Sequence, residues 1–176
     1  MNLEYFISSL PMLMEDLPAK LSPEAFVELC REQLDPALAA AAGEMLGVGA
    51  PDATGAAASP HPFVLEWRDR EAQLRNAVAA ERARRLNAAR PAPRETHGCD
   101  AAISTGVAAA FAVQDPLARE RAFDALRWRA LDEMQGVAPF TEAVVLAYAG
   151  KLALNARRFS IDADKGMDKF KELTKR

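Results

Sequence analysis

Apolar residues recur three or four positions apart along most of this chain, which is the spacing of one face of an α-helix. The two clearest blocks lie in the last third of the chain and contain Pro116, Leu117, Phe123, Leu126, Arg127, Trp128, Leu131 and Asp132, followed by Ala147, Tyr148, Lys151, Leu152 and Leu154. Strand signals are weak, because Thr and Ile are scarce and turn residues do not punctuate alternating runs. The pattern predicts an all-α fold, an elongated bundle of about six to seven helices.

Two helix-start signals lie near the beginning of the chain. Ser22 precedes Pro23, and a Ser side chain can accept an early backbone N–H while Pro fits the first turn. Asp35 with Pro36 repeats the signal and predicts a second helix to about Leu46. The apolar side of the first helix would carry Phe26, Leu29, Cys30 and Leu34. Residues 1–13 are apolar, but their period is ambiguous between a short helix and a strand, so they are left unassigned.

The middle of the chain contains a low-complexity stretch and then a long helical pattern. Residues 47–62, rich in Gly, Ala, Pro and Ser, predict a flexible linker or loop between an N-terminal helical segment (1–46) and a helical bundle (63–176) that packs with it. The longest helix is predicted from Phe63 to Arg90, where Pro91 ends it. Its buried side is expected to hold Trp67, Leu74, Val78, Ala79, Ala83 and Leu86.

Four shorter helices follow in the prediction. The first covers residues 100–113, and the second is capped by Asp115, runs over residues 116–134 and is closed by Gly136. Thr141 and Glu142 begin the third, which extends to about Arg158. The last is expected to begin at Asp162 or Asp164, to contain Met167, Phe170 and Leu173, and to end at Lys175 and Arg176.

Charge is distributed unevenly along the chain. Residues 1–60 carry nine acidic residues against Lys20 and Arg31, a net charge of −7, while the rest carries +4 and brings the total to −3. An acidic first part and a basic second part indicate two faces that meet one another or two faces that meet different partners.

The residues that usually carry chemistry are sparse. Cys30 lies on an apolar helix side, where a thiol behaves as a small hydrophobe, and a reduced cytosolic protein is the simpler interpretation. His97, Cys99 and Asp100 lack the fourth ligand that a zinc site needs. No phosphate-binding Gly-rich loop, Ser nucleophile elbow or zinc-protease pattern occurs. We expect no catalytic residue, no cofactor and no metal site. The alternative that stays open is an enzyme whose catalytic carboxylate pair is brought together by folding.

The end of the longest predicted helix is rich in arginine. Arg82, Arg84, Arg85 and Arg90 are the best candidates for partner contact, because nothing nearby neutralises all of the first three. A solvated face with helix-stabilising pairs such as Glu71–Arg75 and Glu81–Arg85 is the alternative, and a nucleic-acid surface is disfavoured because no exposed aromatic accompanies the charges.

Four short motifs lie in a characteristic order along the chain. They contain Tyr5, Phe6, Ile7, Ser8, Ser9, Leu10 and Pro11; then Leu74, Arg75, Asn76, Ala79, Arg82 and Ala83; then Pro116, Leu117, Asp124, Arg127, Trp128, Leu131, Asp132 and Glu133; and then Ala147, Tyr148, Ala149, Lys151 and Leu152. Their order and spacing resemble a family of small uncharacterised proteins encoded in bacterial V-type ATP synthase operons, which is similar to a reduced form of the C (or d) subunit of rotary V-type ATPases. Gly150 departs from the family pattern and indicates close packing or a weak turn.

This resemblance implies a non-catalytic mechanical part. In rotary ATPases of this type, the C subunit is a helical socket between the central stalk and the membrane rotor ring. The partners implied are therefore other V-type ATP synthase subunits, with no small-molecule substrate, and the location implied is cytoplasmic, peripheral to the inner membrane through the complex. An assembly or regulatory factor for the same machine and a helical nucleic-acid-binding module are the alternatives.

The motif residues are expected to be mainly structural. This set comprises Arg75, Asn76, Pro116, Asp124, Arg127, Trp128, Asp132, Tyr148 and Lys151. Trp67, Trp128 and Tyr148 are predicted core residues. Arg75, Asn76 and Arg127 either pair with Asp124 or Asp132 inside the fold, which we favour, or face a partner.

Overall fold

The computed structural model describes residues 3–47, 61–161 and 171–174. The helices are α1 (Leu3–Ser9), α2 (Pro23–Gln33), α3 (Pro36–Gly47), α4 (Pro62–Arg85), α5 (Ala101–Ala112), α6 (Pro116–Gln135) and α7 (Glu142–Ser160). A further helical turn covers residues 171–174, and no strand occurs within these ranges. The all-α prediction is therefore confirmed, with one helical segment more in the described ranges than the predicted six to seven.

Local chemistry explains where most of these helices begin and end. The Ser22 hydroxyl accepts the Ala25 N–H at 3.2 Å, and the Asp115 carboxylate accepts the Ala118 N–H at 2.8 Å, so both predicted N-caps are confirmed. Pro116 occupies the first turn of α6, where its missing N–H costs nothing. Gly136 ends α6 with a positive φ of 69° that glycine adopts without strain.

The end of α4 differs from the prediction, since the helix stops at Arg85 and not at Arg90. Asn87 adopts the left-handed conformation with a φ of 49°. The Ala88 N–H then bonds to the Ala83 carbonyl at 2.9 Å, and the Asn87 N–H bonds to the Arg84 carbonyl at 3.3 Å. These two bonds define a Schellman ending, for which Asn is the usual substitute for Gly. Leu86, predicted to be buried, is consequently exposed.

Two of the sequence predictions concern regions at the edges of the described ranges. The unassigned opening of the chain forms α1, a helix that buries Phe6. The predicted linker (47–62) lies outside the described residues except for Gly47, His61 and Pro62. Most of the predicted final helix also lies outside them. The division of the chain into an N-terminal segment, a linker and a bundle stays a prediction.

The larger of two hydrophobic cores surrounds α7, and we call it the large cluster. Its buried residues come from every helix from α1 to α7 except α5. They are Phe6, Phe26, Cys30, Leu38, Ala39, Ala41, Ala42, Met45, Phe63, Val64, Trp67, Leu131, Val145, Leu146, Ala147, Ala149, Leu152 and Leu154. A Cβ placed on Gly150 would lie 3.0 Å from the side chains of Leu131 and Met45, so this glycine marks close packing between helices.

The smaller core, which we call the small cluster, joins the second half of α4 to α5 and the first half of α6. Its buried residues are Leu74, Ile103, Val107, Ala110, Phe111 and Phe123. Phe111 and Phe123 meet edge to face with ring centroids 5.6 Å apart. A Cβ on Gly106 would overlap the Leu126 side chain, so α5 and α6 approach closely here.

Candidate functional site

A network of buried carboxylates and arginines lies where α4, α6 and α7 meet. Glu71 and Asp124 are both more than nine-tenths buried. Arg127 donates from Nε to Glu71 at 2.7 Å and from Nη1 to Asp124 at 3.2 Å. Arg157 also donates to the Asp124 carboxylate. Two buried carboxylates are thus bridged by one arginine, which offsets part of the cost of burying each charge alone.

Helix geometry explains how these side chains converge. Asp124 and Arg127 lie one turn apart on α6, and Glu71 and Arg75 lie one turn apart on α4, where the closest N–O separation is 3.7 Å. Packing against α7 then adds Arg157. Burial raises the pKa of Asp124, whereas the positive charges of Arg157 and Arg127 oppose that rise.

Next to this network lies a cavity of about 350 Å³ with a mixed charged and apolar lining. Its charged lining residues are Arg75, Arg94, Arg127, Arg157 and Glu71. Its other lining residues are Met45, Trp67, Gly150, Ala153 and Leu154. We call this cavity the arginine cleft. A second cavity, of about 390 Å³, shares Arg75, Arg94 and Arg127 with the first and is also lined by Arg82.

Asn76 connects α4 to the extended segment that follows it. Its Nδ2 donates to the Arg94 carbonyl at 2.9 Å, and its Oδ1 accepts the Arg94 N–H at 2.8 Å. The expected contact of Arg127 with Asp124 is present. Arg75 instead forms its ion pair with Glu71, and Asn76 bonds to backbone, so neither adopts the expected pairing with an aspartate.

The remaining motif residues lie on α6 and α7. Lys151 Nζ lies 2.5 Å from Asp132 and 5.8 Å from the centre of the Trp128 ring, which is partly buried against the large cluster. The Tyr148 ring stacks against Phe26 with centroids 5.3 Å apart, and its hydroxyl donates to the Pro11 carbonyl at 3.0 Å. Lys151 and Tyr148 therefore fix α7 to two different neighbours.

The four predicted contact arginines differ in their surroundings. Arg84 and Arg85 both bind the Glu81 carboxylate, with closest distances of 2.6 and 2.9 Å, and they lower its pKa to about 2. The Arg85 guanidinium also lies over the Phe111 ring, 5.1 Å from its centre. Arg82 and Arg90 are exposed. Of the four, only these two have no ion pair within the described parts of the chain.

A cluster of contacts that the sequence did not reveal is centred on Asn155, which is 2 % exposed. Its Oδ1 accepts the Ala19 N–H at 2.9 Å, and its Nδ2 donates to the carbonyls of Met14 and Leu17 at 3.0 and 2.8 Å. We call the segment of residues 10–21 the N-terminal loop. One buried amide thus satisfies three backbone groups of this loop.

Arg158 adds an electrostatic contact beside Asn155. It donates to the Glu15 carbonyl at 3.1 Å and to the Asp16 carboxylate at 2.7 Å. Arg68 on α4 likewise binds Glu44 on α3. The acidic first part and the basic second part of the chain therefore meet one another at these points.

The candidate metal and thiol residues lie apart from the arginine cleft. His97 is exposed, and its Nδ1 lies 3.4 Å from Asp69, which its backbone N–H also contacts at 2.6 Å. Across residues 3–47, 61–161 and 171–174, no three His, Cys, Asp or Glu side chains are grouped so that they could hold a metal ion. Burial raises the pKa of the Cys30 thiol to about 12, whereas Cys99 is exposed.

The described residues thus form an all-α arrangement with two hydrophobic clusters and an arginine–carboxylate network between α4, α6 and α7. In the described part of the chain, none of the helices combines the length and the apolar character needed to cross a membrane. The model of a family described as protein of unknown function (DUF2764) matches residues 105–176, a stretch that includes α6 and α7. No curated protein and no solved structure matches the chain.

Proposed function

We propose that this protein is a non-catalytic component of a V-type ATP synthase, a C- or d-like socket that couples the central stalk to the membrane rotor ring. Its place would be the cytoplasmic side of the inner membrane, which it would reach through the complex. Its partners would be the stalk and ring subunits.

The observation that carries the proposal is that the motifs behind the resemblance contact one another in the fold. Pro11 in the opening motif accepts the hydrogen bond of Tyr148 in the last motif. The arginine–carboxylate network links the second and third motifs, because Glu71 contacts both Arg75 and Arg127. Motifs separated by more than a hundred residues thus belong to one connected framework, and a part that transmits torque needs such a stiff body.

A surface for a partner follows from the side chains that this framework leaves free. Arg82 projects from α4 without an ion pair in the described ranges and adjoins the cleft side of the helix. Asn155 and Arg158 bind the N-terminal loop, in which the Met14 and Leu17 side chains are exposed, and the apolar side chains of Phe159 and Ile161, which directly follow Arg158, are exposed as well. A positive site and an apolar site at separate places suit a part that bridges two partners.

The test is affinity purification of the tagged protein from its native membranes after gentle solubilisation. Mass spectrometry against an untagged control is expected to recover catalytic, stalk and ring subunits in a fixed ratio. A finished rotary complex that lacks this protein would overturn the socket role, and ATPase subunits on the bait would then identify an assembly factor. Nucleic acid on the bait without ATPase subunits would favour the nucleic-acid-binding alternative.

A surface variant sharpens this test. Arg82→Ala is expected to lower recovery of the partner subunits by roughly two- to fivefold at moderate salt, the effect of losing one exposed ion pair, and to matter less at high salt. Arg129→Ala is the matched control, since Arg129 is also an exposed helical arginine without an ion pair in the described chain. Equal losses for the two variants would contradict a specific role for Arg82.

A further inference from the structure

We propose that the arginine cleft binds a small molecule that carries a phosphate dianion next to an apolar body. This inference goes beyond the proposed function, because it assigns the protein a ligand that is bound and not converted. It follows from the charge, the donors and the shape of the cleft.

The charges around the cleft do not balance. Four guanidinium groups, those of Arg75, Arg94, Arg127 and Arg157, line it, whereas the carboxylates within the network are those of Glu71 and Asp124. Among these six groups two positive charges are left over, and Glu120, whose charge raises the pKa of Asp124, lines only the second cavity. A ligand with two negative charges would neutralise them, and a phosphate monoester is such a dianion at neutral pH because its second pKa is about 6.

The hydrogen-bond donors are also incompletely used. A guanidinium offers five N–H donors. The Arg94 side chain has no hydrogen bond or ion pair among the described residues, and Arg75 lies 3.7 Å from its nearest carboxylate oxygen, which is beyond hydrogen-bond distance. Arg157 contacts Asp124 through Nη2 only. Three arginines therefore retain donors for the oxygens of one anion.

The framework positions the guanidinium groups of Arg127 and Arg157, and the backbone of Arg94, before any ligand arrives. Asn76 fixes the backbone of Arg94 through two hydrogen bonds while leaving its side chain free. Arg127 is fixed by Glu71 and Asp124, and Asp124 also contacts Arg157. A site whose charged groups are already positioned loses less entropy when it binds.

The rest of the lining favours an apolar body on the ligand. Trp67, Met45 and Leu154 also line the cleft, and a volume of about 350 Å³ falls in the range of small-molecule sites. The Trp67 indole N–H has almost no solvent-accessible surface, so Trp67 contributes apolar ring surface to the cleft and no donor. An aromatic or alicyclic phosphate monoester combines the two required features.

Phenyl phosphate is the direct probe, with inorganic phosphate and phenol as its two halves. Isothermal titration of the full chain at pH 7.5 and constant ionic strength is expected to show saturable binding of phenyl phosphate, at least about tenfold tighter than binding of inorganic phosphate. Phenol is expected to show none, because it carries no charge for the arginines.

Two exposed arginines of the same extended segment provide matched variants. Arg94→Gln is expected to weaken phenyl phosphate binding by about tenfold, the loss of one charge-assisted hydrogen bond. Arg90→Gln, which changes the net charge equally but does not line the cleft, is expected to leave the affinity within twofold. The double variant Arg75→Gln/Arg94→Gln is expected to abolish detectable binding while circular dichroism stays unchanged.

Three results would overturn the proposal. They are no phenyl phosphate binding by the folded wild-type chain, equal weakening by the Arg90 and Arg94 variants, and equal affinity for inorganic phosphate and phenyl phosphate. None of these measurements involves the ATP synthase, so failure here is distinguishable from failure of the proposed function.

Discussion

The two hydrophobic cores among the described residues exclude water in different ways. Of helices α1 to α7, all but α5 contribute buried side chains to the large cluster, and five residues of α7, Val145, Leu146, Ala147, Ala149 and Leu152, are 0 % exposed. Three helices form the small cluster, and two arginines cover its surface. Arg85 and Arg119 lie 5.1 and 5.6 Å from the centre of the Phe111 ring.

The difference concerns what excludes water. In the large cluster, neighbouring helices exclude water, and truncation of a side chain would leave a void that the surroundings cannot fill. In the small cluster long arginine side chains cover an aromatic ring and can shift to fill a gap. We therefore expect the two cores to contribute unequally to stability although both contain buried leucine.

Truncation of one leucine in each core should produce the largest difference in stability between the two cores. Leu146→Ala in the large cluster is expected to reduce the free energy of unfolding by about 4 kcal/mol, and Leu74→Ala in the small cluster by about 2 kcal/mol, values in the upper part and at the lower end of the range for buried leucines. Urea unfolding followed by circular dichroism measures both. Equal losses would show that the small cluster is as tightly packed as the large one.

Loss of Arg127 should have the next largest effect. Arg127→Met leaves Glu71 and Asp124 buried without their bridging charge, and we expect a loss of about 3 kcal/mol. Arg129→Met, at an exposed site on the same helix, controls for the change of residue type and is expected to cost less than 0.5 kcal/mol, roughly the limit for surface substitutions.

The stability loss caused by Arg127→Met is expected to depend on pH in a definite direction. The folded pKa of Asp124 is already raised above its ordinary value of 3.8, so its deprotonation weakens the fold as pH rises from 3.8 through the raised pKa. Without Arg127 that pKa rises further. Urea unfolding should therefore show a larger loss at pH 7 than at pH 5, and a loss independent of pH would contradict the assignment.

Two asparagines compare a buried contact with an exposed one. Asn155→Leu should cost about 2 kcal/mol, because it leaves backbone groups of the N-terminal loop without hydrogen-bond partners. Asn76→Leu should cost about 1 kcal/mol or less, since water replaces its exposed hydrogen bonds. Urea unfolding gives the energies, and limited proteolysis shows which segment loosens. Cleavage of the Asn155 variant outside residues 10–21 would argue against this role.

The smallest effect is expected at the arginines that cover the small cluster. Arg85→Ala removes an exposed ion pair and the contact with Phe111, and should cost about 0.5–1 kcal/mol. Arg84→Ala removes only its contact with Glu81 and should cost less. Thermal unfolding of both variants measures the difference, and an equal shift in Tm would show that the aromatic contact adds nothing.

Much of the helical framework could be predicted because its signals are local. Ser22 and Asp115 cap helices through backbone N–H groups three residues away, and Gly136 ends one through its own φ angle. The predicted end of α4 is wrong because Asn87, in the left-handed conformation, ends the helix before the chain reaches Pro91.

The site was less accessible to sequence reasoning because its partners are distant. The contact between Asp124 and Arg127 spans one helical turn and was expected, but Glu71 and Arg157 reach it from other helices. No local sequence pattern indicated the role of Asn155, since its three hydrogen-bond partners lie between 136 and 141 residues away. Which side chains meet at such separations depends on the packing of whole helices.

The Asn155 contacts have a consequence for synthesis of the protein on the ribosome. The chain must grow by 136 residues after Ala19 before Asn155 exists to bind it. At about 5–20 residues per second this interval lasts roughly 7–27 s. Throughout that time the apolar sides of α1, α2 and α3 lack the α7 surface on which they pack. The nascent chain is therefore a natural client for ribosome-associated chaperones until its final third emerges.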